Sequence, residues 1–467
     1  MNSLERLCQT VAATGNKVVT SAHPAASAAG IAAFAQGGNA FDAALAACFM
    51  ETVALPMKCG LAGDLVALYR RADGSMETIV SVGPGPQGLA LGAILERVGP
   101  RSVGIPGAPD GYAMLHSLGS LPLKQLVAAA VQAADAGIPW TWTALSYLDE
   151  AEELLGRYSP HHPYCPHGRR PQIGELRRLP GLGRLLEAFA EAGADLFAGD
   201  HGRRLAAEVQ SRGGFITLAD LRTRPARRLP VISVTLGERI ELLATPAPTG
   251  GPRLADVLSR YQAGAGNLLD LVRAERQESR KRNREAQDEG TSVVTAADDQ
   301  GNAVVVVHSN SFPRFGSGVV LESGLVLNNR PGRGFDLNAP PQARNAPAAG
   351  RVPQTTLHAW ALSHGETLCL GATPGGVNQL PWNSQVLADL LAGATPAEAV
   401  TNPRWALDDK EELSAEDGVH CAAGTVPDRA LQRFAHRSVQ QVVMMRAGFP
   451  HLAAADPRSG ASALGMY

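Results

Sequence analysis

From Thr291 onward the chain reads as a hairpin, and this feature restricts the fold more than any other. TSVVTAA and AVVVVHS flank the turn DDQGN, so two apolar strands meet at a Gly-Asn turn. Thr291 stands at their open end, between a Gly and a Ser. Upstream, RAERQESRKRNREAQDE (273–289) is almost wholly charged or amide and reads as a solvated linker. By local pattern alone, Thr291 begins a strand, as β-branched residues often do.

The same pairing recurs downstream. GVVLES precedes GLVLNN, and TTLHAWALS precedes ETLCLGA, each pair reading as strands joined by a glycine turn. Two helices follow, one near 378–393 and one opened by the capping box Thr395-Pro-Ala-Glu398. The first part of the chain is richer in helix. HPAASAAGIAAFAQGGNAFDAALAACFMETVAL (23–55) predicts two helices broken at Gly-Gly-Asn. LVALYRR and METIVSV predict a hairpin, and 123–137, 148–156, 181–193 and 202–212 show helical periodicity. GFITLADL carries an expected N-cap at Thr217, with Asp220 three residues on.

Composition bounds the class. A chain of 467 residues, 45% hydrophobic and 18% charged, is globular, and its length suggests about three domains as a first guess. A net charge of −2 argues against bulk nucleic-acid affinity or adhesion to an anionic membrane. Cys8, Cys48, Cys59, Cys165, Cys369 and Cys421 lack paired spacing, which fits a reducing compartment. No secretory pattern opens the chain and no long apolar run crosses it, so the expectation is a cytoplasmic protein without a membrane span.

Two motifs are set aside. GPGPQG (83–88) matches a dinucleotide fingerprint in form, but its prolines remove the amides a pyrophosphate needs. SPHHPYCPHG (159–168) gathers His161, His162, Cys165 and His167 at a spacing that fits no zinc pattern, and reads as a rigid loop. No G-x-S-x-G elbow and no Walker loop occurs.

Several segments together resemble the gamma-glutamyltranspeptidase family of N-terminal-nucleophile hydrolases. They are SAHPAASAAG with QGGNAFDAALAA (21–46), CGLAGDLVALY (59–69), GIPGAPDGY (104–112), GGFITLADL (213–221), TPAPTGG (245–251), GTSVVTAADDQGNAV (290–304), SNSFPRFGSGVV (309–320), GLVLNN (324–329) and PGG (374–376). They stand in the family's order from about residue 17 to about residue 410. The resemblance implies an α+β fold, a four-layer αββα sandwich. It also implies self-cleavage between Gly290 and Thr291, giving a large fragment 1–290 and a small fragment 291–467 that form one composite domain. Thr291 would then be the nucleophile. A freed α-amine has a reference pKa of about 7.7–8.0 and can serve as its base near neutral pH.

The resemblance further implies that Ser309 orients the nucleophile and that Gly375 and Gly376 form an oxyanion hole. Asn310 would contact the bound acyl group, with Ser311 as the alternative. Thr355 and Thr356 match two carboxylate-binding serines. No metal and no organic cofactor is implied. The expected partners are a small-molecule amide and the two fragments themselves, with a homo-oligomer left open.

The pattern departs where the family holds glutamate. The position of its carboxylate-binding arginine falls near Leu89, and the acidic residue after Asn-Asn is replaced by Arg330, with Arg333 nearby. An ammonium facing arginines is repelled. The expectation is therefore an amide whose acyl part lacks the amino group and carries a carboxylate gripped by Arg330 or Arg333. The alternatives are a true glutathione hydrolase with a changed clamp, and a non-processing binding protein.

Overall fold

The computed structural model describes residues 11–282, 290–408, 410–419, 425–431 and 438–467. Two seven-stranded sheets form its centre. In one, the strands run in the order Ser462–Met466, Lys17–Ser21, Thr291–Ala297, Ala303–Ser309, Asp64–Arg70, Met76–Ser81 and Arg227–Pro230. In the other, the order is Val11–Gly15, His451–Ala455, Gln441–Arg446, Thr367–Ala372, Trp360–His364, Ile240–Ala244 and Ile232–Gly237. All pairings within both are antiparallel.

The sheets pack face to face, Thr291–Ala297 lying over Gln441–Arg446 and Ala303–Ser309 over Thr367–Ala372. Helices cover both outer faces. Pro24–Ala35 and Ala40–Ala54 lie on the first sheet, with Leu123–Ala136 and Pro180–Ala192 behind them. Gly251–Gln262 and Pro396–Thr401 lie on the second, accompanied by Leu268–Arg282 and Gln379–Leu391. This is the four-layer αββα sandwich. Every residue of Thr291–Ala297 and of Ala303–Ser309 is buried, because one face meets helices and the other meets a sheet. A strand covered on both faces is apolar throughout, which is why these segments do not alternate.

Strands from before and after Thr291 interleave in both sheets. A cut ahead of Thr291 therefore leaves two chains that still share one core. Among the described residues, no helix is long and apolar enough to cross a membrane.

Local signals placed many elements. Asn39 caps the helix Ala40–Ala54 in a capping box with Asp42, and the boxes at Thr217–Asp220 and Thr395–Glu398 form as expected. Other expectations need correction. The run 273–282 is not linker but the C-terminal two thirds of the helix Leu268–Arg282, while 283–289 lies outside the described residues. The buried Arg276 fixes it, donating to the carbonyls of Leu407 and Asp408 and pairing with Glu411 at 3.2 Å. The helix expected over 148–156 is two helices, Trp142–Glu150 and Glu152–Tyr158, meeting at Ala151. GVVLES and GLVLNN touch through a single bridge, Val320 to Val326, and do not form a strand pair. SPHHPYCPHG is a loop closed by a short turn of 3-10 helix, its Tyr164 hydroxyl donating to the Gly324 carbonyl at 2.6 Å. Cys48, Cys59 and Cys369 are buried free thiols; Cys8 and Cys421 lie outside the described residues.

Candidate active site

The hairpin turn sets the position of Thr291. Asp298 Oδ1 accepts from the amides of Gln300 and Asn302 at 3.0 and 2.9 Å, and its Oδ2 accepts from Asn302 Nδ2 and from the Ala40 amide. With the turn fixed, the register runs from Ala297 opposite Ala303 to Thr291 opposite Ser309. A slip of one residue would turn every side chain to the other face.

At the open end of the hairpin, Thr291 Oγ1 donates to Ser309 Oγ at 3.1 Å. Ser309 Oγ donates onward to the carbonyl of Gly290 at 2.7 Å and accepts from the Ser311 amide at 2.9 Å. Thus one hydroxyl joins Thr291 to the carbonyl on its own N-terminal side. Gly290 is required here for space, not for an unusual backbone angle. A Cβ on it would lie 1.7 Å from the Ser311 carbonyl oxygen.

Asp64 extends this row. Ser309 faces Thr291 on one side and Asp64 on the other, and directly opposed residues share a face of the sheet. Two strand spacings put Asp64 roughly 10 Å from Thr291. Asp64 Oδ2 accepts from Arg330 Nε at 2.6 Å, and Oδ1 accepts from the Gly83 amide at 3.1 Å. Burial pushes the Asp64 carboxyl above its ordinary pKa, and the charge of Arg330 opposes that rise. Arg330 is itself buried, and among the described residues no hydrogen bond engages either of its Nη groups. Arg333 is half-buried, its guanidinium 5.1 Å from the centroid of the Phe312 ring.

Of the remaining expected residues, Asn310 donates from Nδ2 to the Pro56 carbonyl at 3.0 Å, and its buried Oδ1 has no hydrogen-bond partner among the described residues. The Ser311 backbone lies against Gly290, as its contact shows. Gly375 has φ +137, and a Cβ there would meet the Trp382 ring at 2.5 Å. Among the described residues, neither the Gly375 nor the Gly376 amide donates a hydrogen bond. Two unspent amides on adjacent glycines suit a developing oxyanion. Thr355 Oγ1 accepts from the Leu357 amide, so its hydroxyl serves a turn. Thr356 lines a cavity of about 40 Å³ with Gly250, His358, Gly376, Val377 and Leu380. Leu89 is half-buried in the 3-10 turn Gln87–Leu91.

Sequence reasoning missed Asp64 and His358. An aspartate opening an otherwise apolar strand, DLVALYR, was the available signal for the first. His358, fully buried, donates from Nδ1 to the Thr356 carbonyl and accepts at Nε2 from Asn383, both at 2.8 Å. Burial lowers its pKa to about 4. A histidine with a depressed folded pKa contributes stability that is present above its unfolded value of 6.5 and lost as pH falls toward about 4. Melting the wild type and His358→Gln across that window should show a steeper acid loss in the wild type, by about 3 kcal/mol. Parallel curves would contradict the assignment.

Two antiparallel sheets packed face to face between helical layers are the αββα fold of the N-terminal-nucleophile hydrolase class. The chain belongs to the gamma-glutamyltranspeptidase family: the Gamma-glutamyltranspeptidase family model matches residues 26–276 and 266–466. It is 30% identical over 283 residues to the Acylase ACY 1 proenzyme of Pseudomonas sp. (strain V22), covering 55% of this chain and half the length of that protein. It is 25% identical over 453 residues to the Glutathione hydrolase-like YwrD proenzyme of Bacillus subtilis (strain 168), covering 83% and 84% of the two chains. The crystal structure of cephalosporin acylase from Bacillus halodurans superposes with a TM-score of 0.84 at 23% identity, covering 98% of this chain and 97% of that one. That likeness is one of fold.

Proposed function

We propose that this chain is a self-processing amidohydrolase or acyltransferase that works through an acyl ester on Thr291. The observation that carries the reading is the hydrogen-bond chain from Thr291 Oγ1 through Ser309 Oγ to the Gly290 carbonyl. In self-cleavage, Oγ1 attacks the Gly290 carbonyl carbon. Its proton passes to Ser309 as the Ser309 proton passes to the carbonyl oxygen. The resulting tetrahedral centre expels the Thr291 nitrogen, which takes up a proton, and leaves an ester on Oγ1. The α-amine is free from that point, and water then hydrolyses the ester, releasing the Gly290 carboxylate and the Thr291 hydroxyl.

In turnover the α-amine is the base that the uncut chain lacks. Thr291 attacks the substrate amide, the Gly375 and Gly376 amides stabilise the oxyanion, and the amine leaves with the proton. Water or a second amine then takes the acyl group.

The same reading assigns the acyl group a terminal carboxylate and no α-amino group. Arg330 supports it, since Asp64 holds the guanidinium through Nε and, among the described residues, both Nη groups are without hydrogen bonds. A guanidinium held in this way offers two parallel donors to a carboxylate. Arg333 is the lesser contributor because it stacks on Phe312. Dicarboxylic half-amides, oxamates and glutaryl amides fit this description.

The test compares glutaryl and γ-glutamyl anilides on purified, cut protein. The expected result is a preference of at least about tenfold in kcat/KM for the glutaryl compound, from repulsion of the ammonium by Arg330. Equal turnover would refute the carboxylate reading and favour a glutathione hydrolase with a changed clamp. A protein that never cuts and turns over neither compound would be a binding protein.

A further inference from the structure

We infer that Glu51, His308 and Tyr112 form a buried clasp behind the nucleophile and act as positioning residues for it. The inference rests on the reading of Thr291 given above. The three side chains are fully buried. His308 precedes Ser309 and points to the opposite face of the sheet, toward the helix Ala40–Ala54 that carries Glu51. Glu51 Oε2 accepts from His308 Nε2 at 2.7 Å, so the Tyr112 hydroxyl donates to Nδ1 at 2.6 Å. Glu51 Oε1 accepts from the Ala22 amide at 2.8 Å.

The placement gives this network its meaning. Ala22 follows the strand Lys17–Ser21, which flanks the nucleophile strand on one side; His308 lies in the strand that flanks it on the other. One carboxylate therefore ties together both neighbours of the nucleophile strand, from behind. Thr291 is the first residue of its strand and Ser309 the last of the next, so the reactive pair sits at the hairpin's open end, farthest from the turn that fixes register. Strand ends splay unless they are tied, and the 3.1 Å contact between the two hydroxyls depends on their not doing so. Cys59 Sγ lies within 4.8 Å of the Glu51 and His308 atoms, a donor set that a metal ion can use. However, both oxygens of Glu51 and both nitrogens of His308 are already hydrogen-bonded within the protein, and the Cys59 thiol turns to the Leu55 carbonyl. The network is closed without an ion.

The test measures self-cleavage rate and steady-state kinetics of the full chain carrying Glu51→Leu, Glu51→Gln, Tyr112→Phe or Ser292→Ala. Glu51→Leu is expected to slow cutting and kcat about 10- to 100-fold with KM unchanged, the effect of misplacing a reacting group by about 1 Å. Glu51→Gln should recover to within a few-fold, because an amide can serve both Ala22 and a flipped His308 tautomer. Ser292 faces His308 across the strands, and among the described residues its buried hydroxyl bonds nothing, so Ser292→Ala should match the wild type. If Glu51→Leu does not fold, Tyr112→Phe decides, since it keeps the ring and removes one hydrogen bond. Slower cutting with unchanged KM supports the clasp. Wild-type rates in folded Glu51 and Tyr112 variants overturn it, and an uncut wild type instead overturns the reading of Thr291.

Discussion

Thr291→Ala is expected to run as one band of 48.8 kDa on denaturing electrophoresis, where the wild type gives fragments 1–290 and 291–467. The variant loses the attacking oxygen for both cutting and turnover. Activity should fall on the order of 10⁴-fold or more, as when a nucleophile is removed from other acyl-transfer sites. Ser309→Ala tests the proton route separately. It leaves the Gly290 carbonyl without its donor and Thr291 without its acceptor, so cutting should slow by roughly 10²- to 10⁴-fold while the nucleophile remains. Thr291→Ser should still cut, more slowly, because the β-methyl that restricts χ1 is gone. N-terminal sequencing of the small fragment checks the whole scheme. A fragment that begins elsewhere, or a Thr291→Ala chain that still yields two bands, would defeat it.

The hairpin was legible because its determinants are local. Asp298, Gly301 and Asn302 build the turn, and the strands on either side carry their own propensity. The capping boxes were legible for the same reason, each spanning four residues. What the sequence hid is what depends on distant partners. Val11–Gly15 pairs with His451–Ala455, and Lys17–Ser21 with Ser462–Met466, so no window near either end reveals a strand's neighbour. Residues 273–282 looked like linker because their charges were judged by composition, whereas Arg276 finds carbonyls more than 130 residues away. The candidate site residues follow the same division. Thr291, Gly290 and Ser309 are united by one hairpin and could be placed by motif. Arg330 could be read as a cation but not as a paired one, since Asp64 lies 266 residues upstream.

That pairing makes the second large effect. Removing one partner from a buried ion pair strands the other charge and costs about 3–5 kcal/mol, while replacing both by neutral groups is often nearly neutral. Thr291→Ala chains suit the measurement, because they unfold as one polypeptide. In that background, Arg330→Met should lower the urea midpoint sharply, Asp64→Asn should do so as well, and the double variant should recover most of the loss. The pH dependence fixes the mechanism. The folded Asp64 carboxyl already sits above its unfolded pKa, so its contribution is greatest below the unfolded value and is lost as pH rises through the folded one. Without Arg330 the carboxyl is pushed higher still. The Arg330→Met deficit must therefore shrink on acidification, as the stranded Asp64 takes a proton. In the cutting background, the folded double variant should raise KM for a glutaryl anilide roughly 10- to 100-fold, the loss of one charge-assisted contact. A deficit that ignores pH would show that Arg330 acts through packing alone. An unchanged KM would place the substrate carboxylate elsewhere, while Thr291 kept its role.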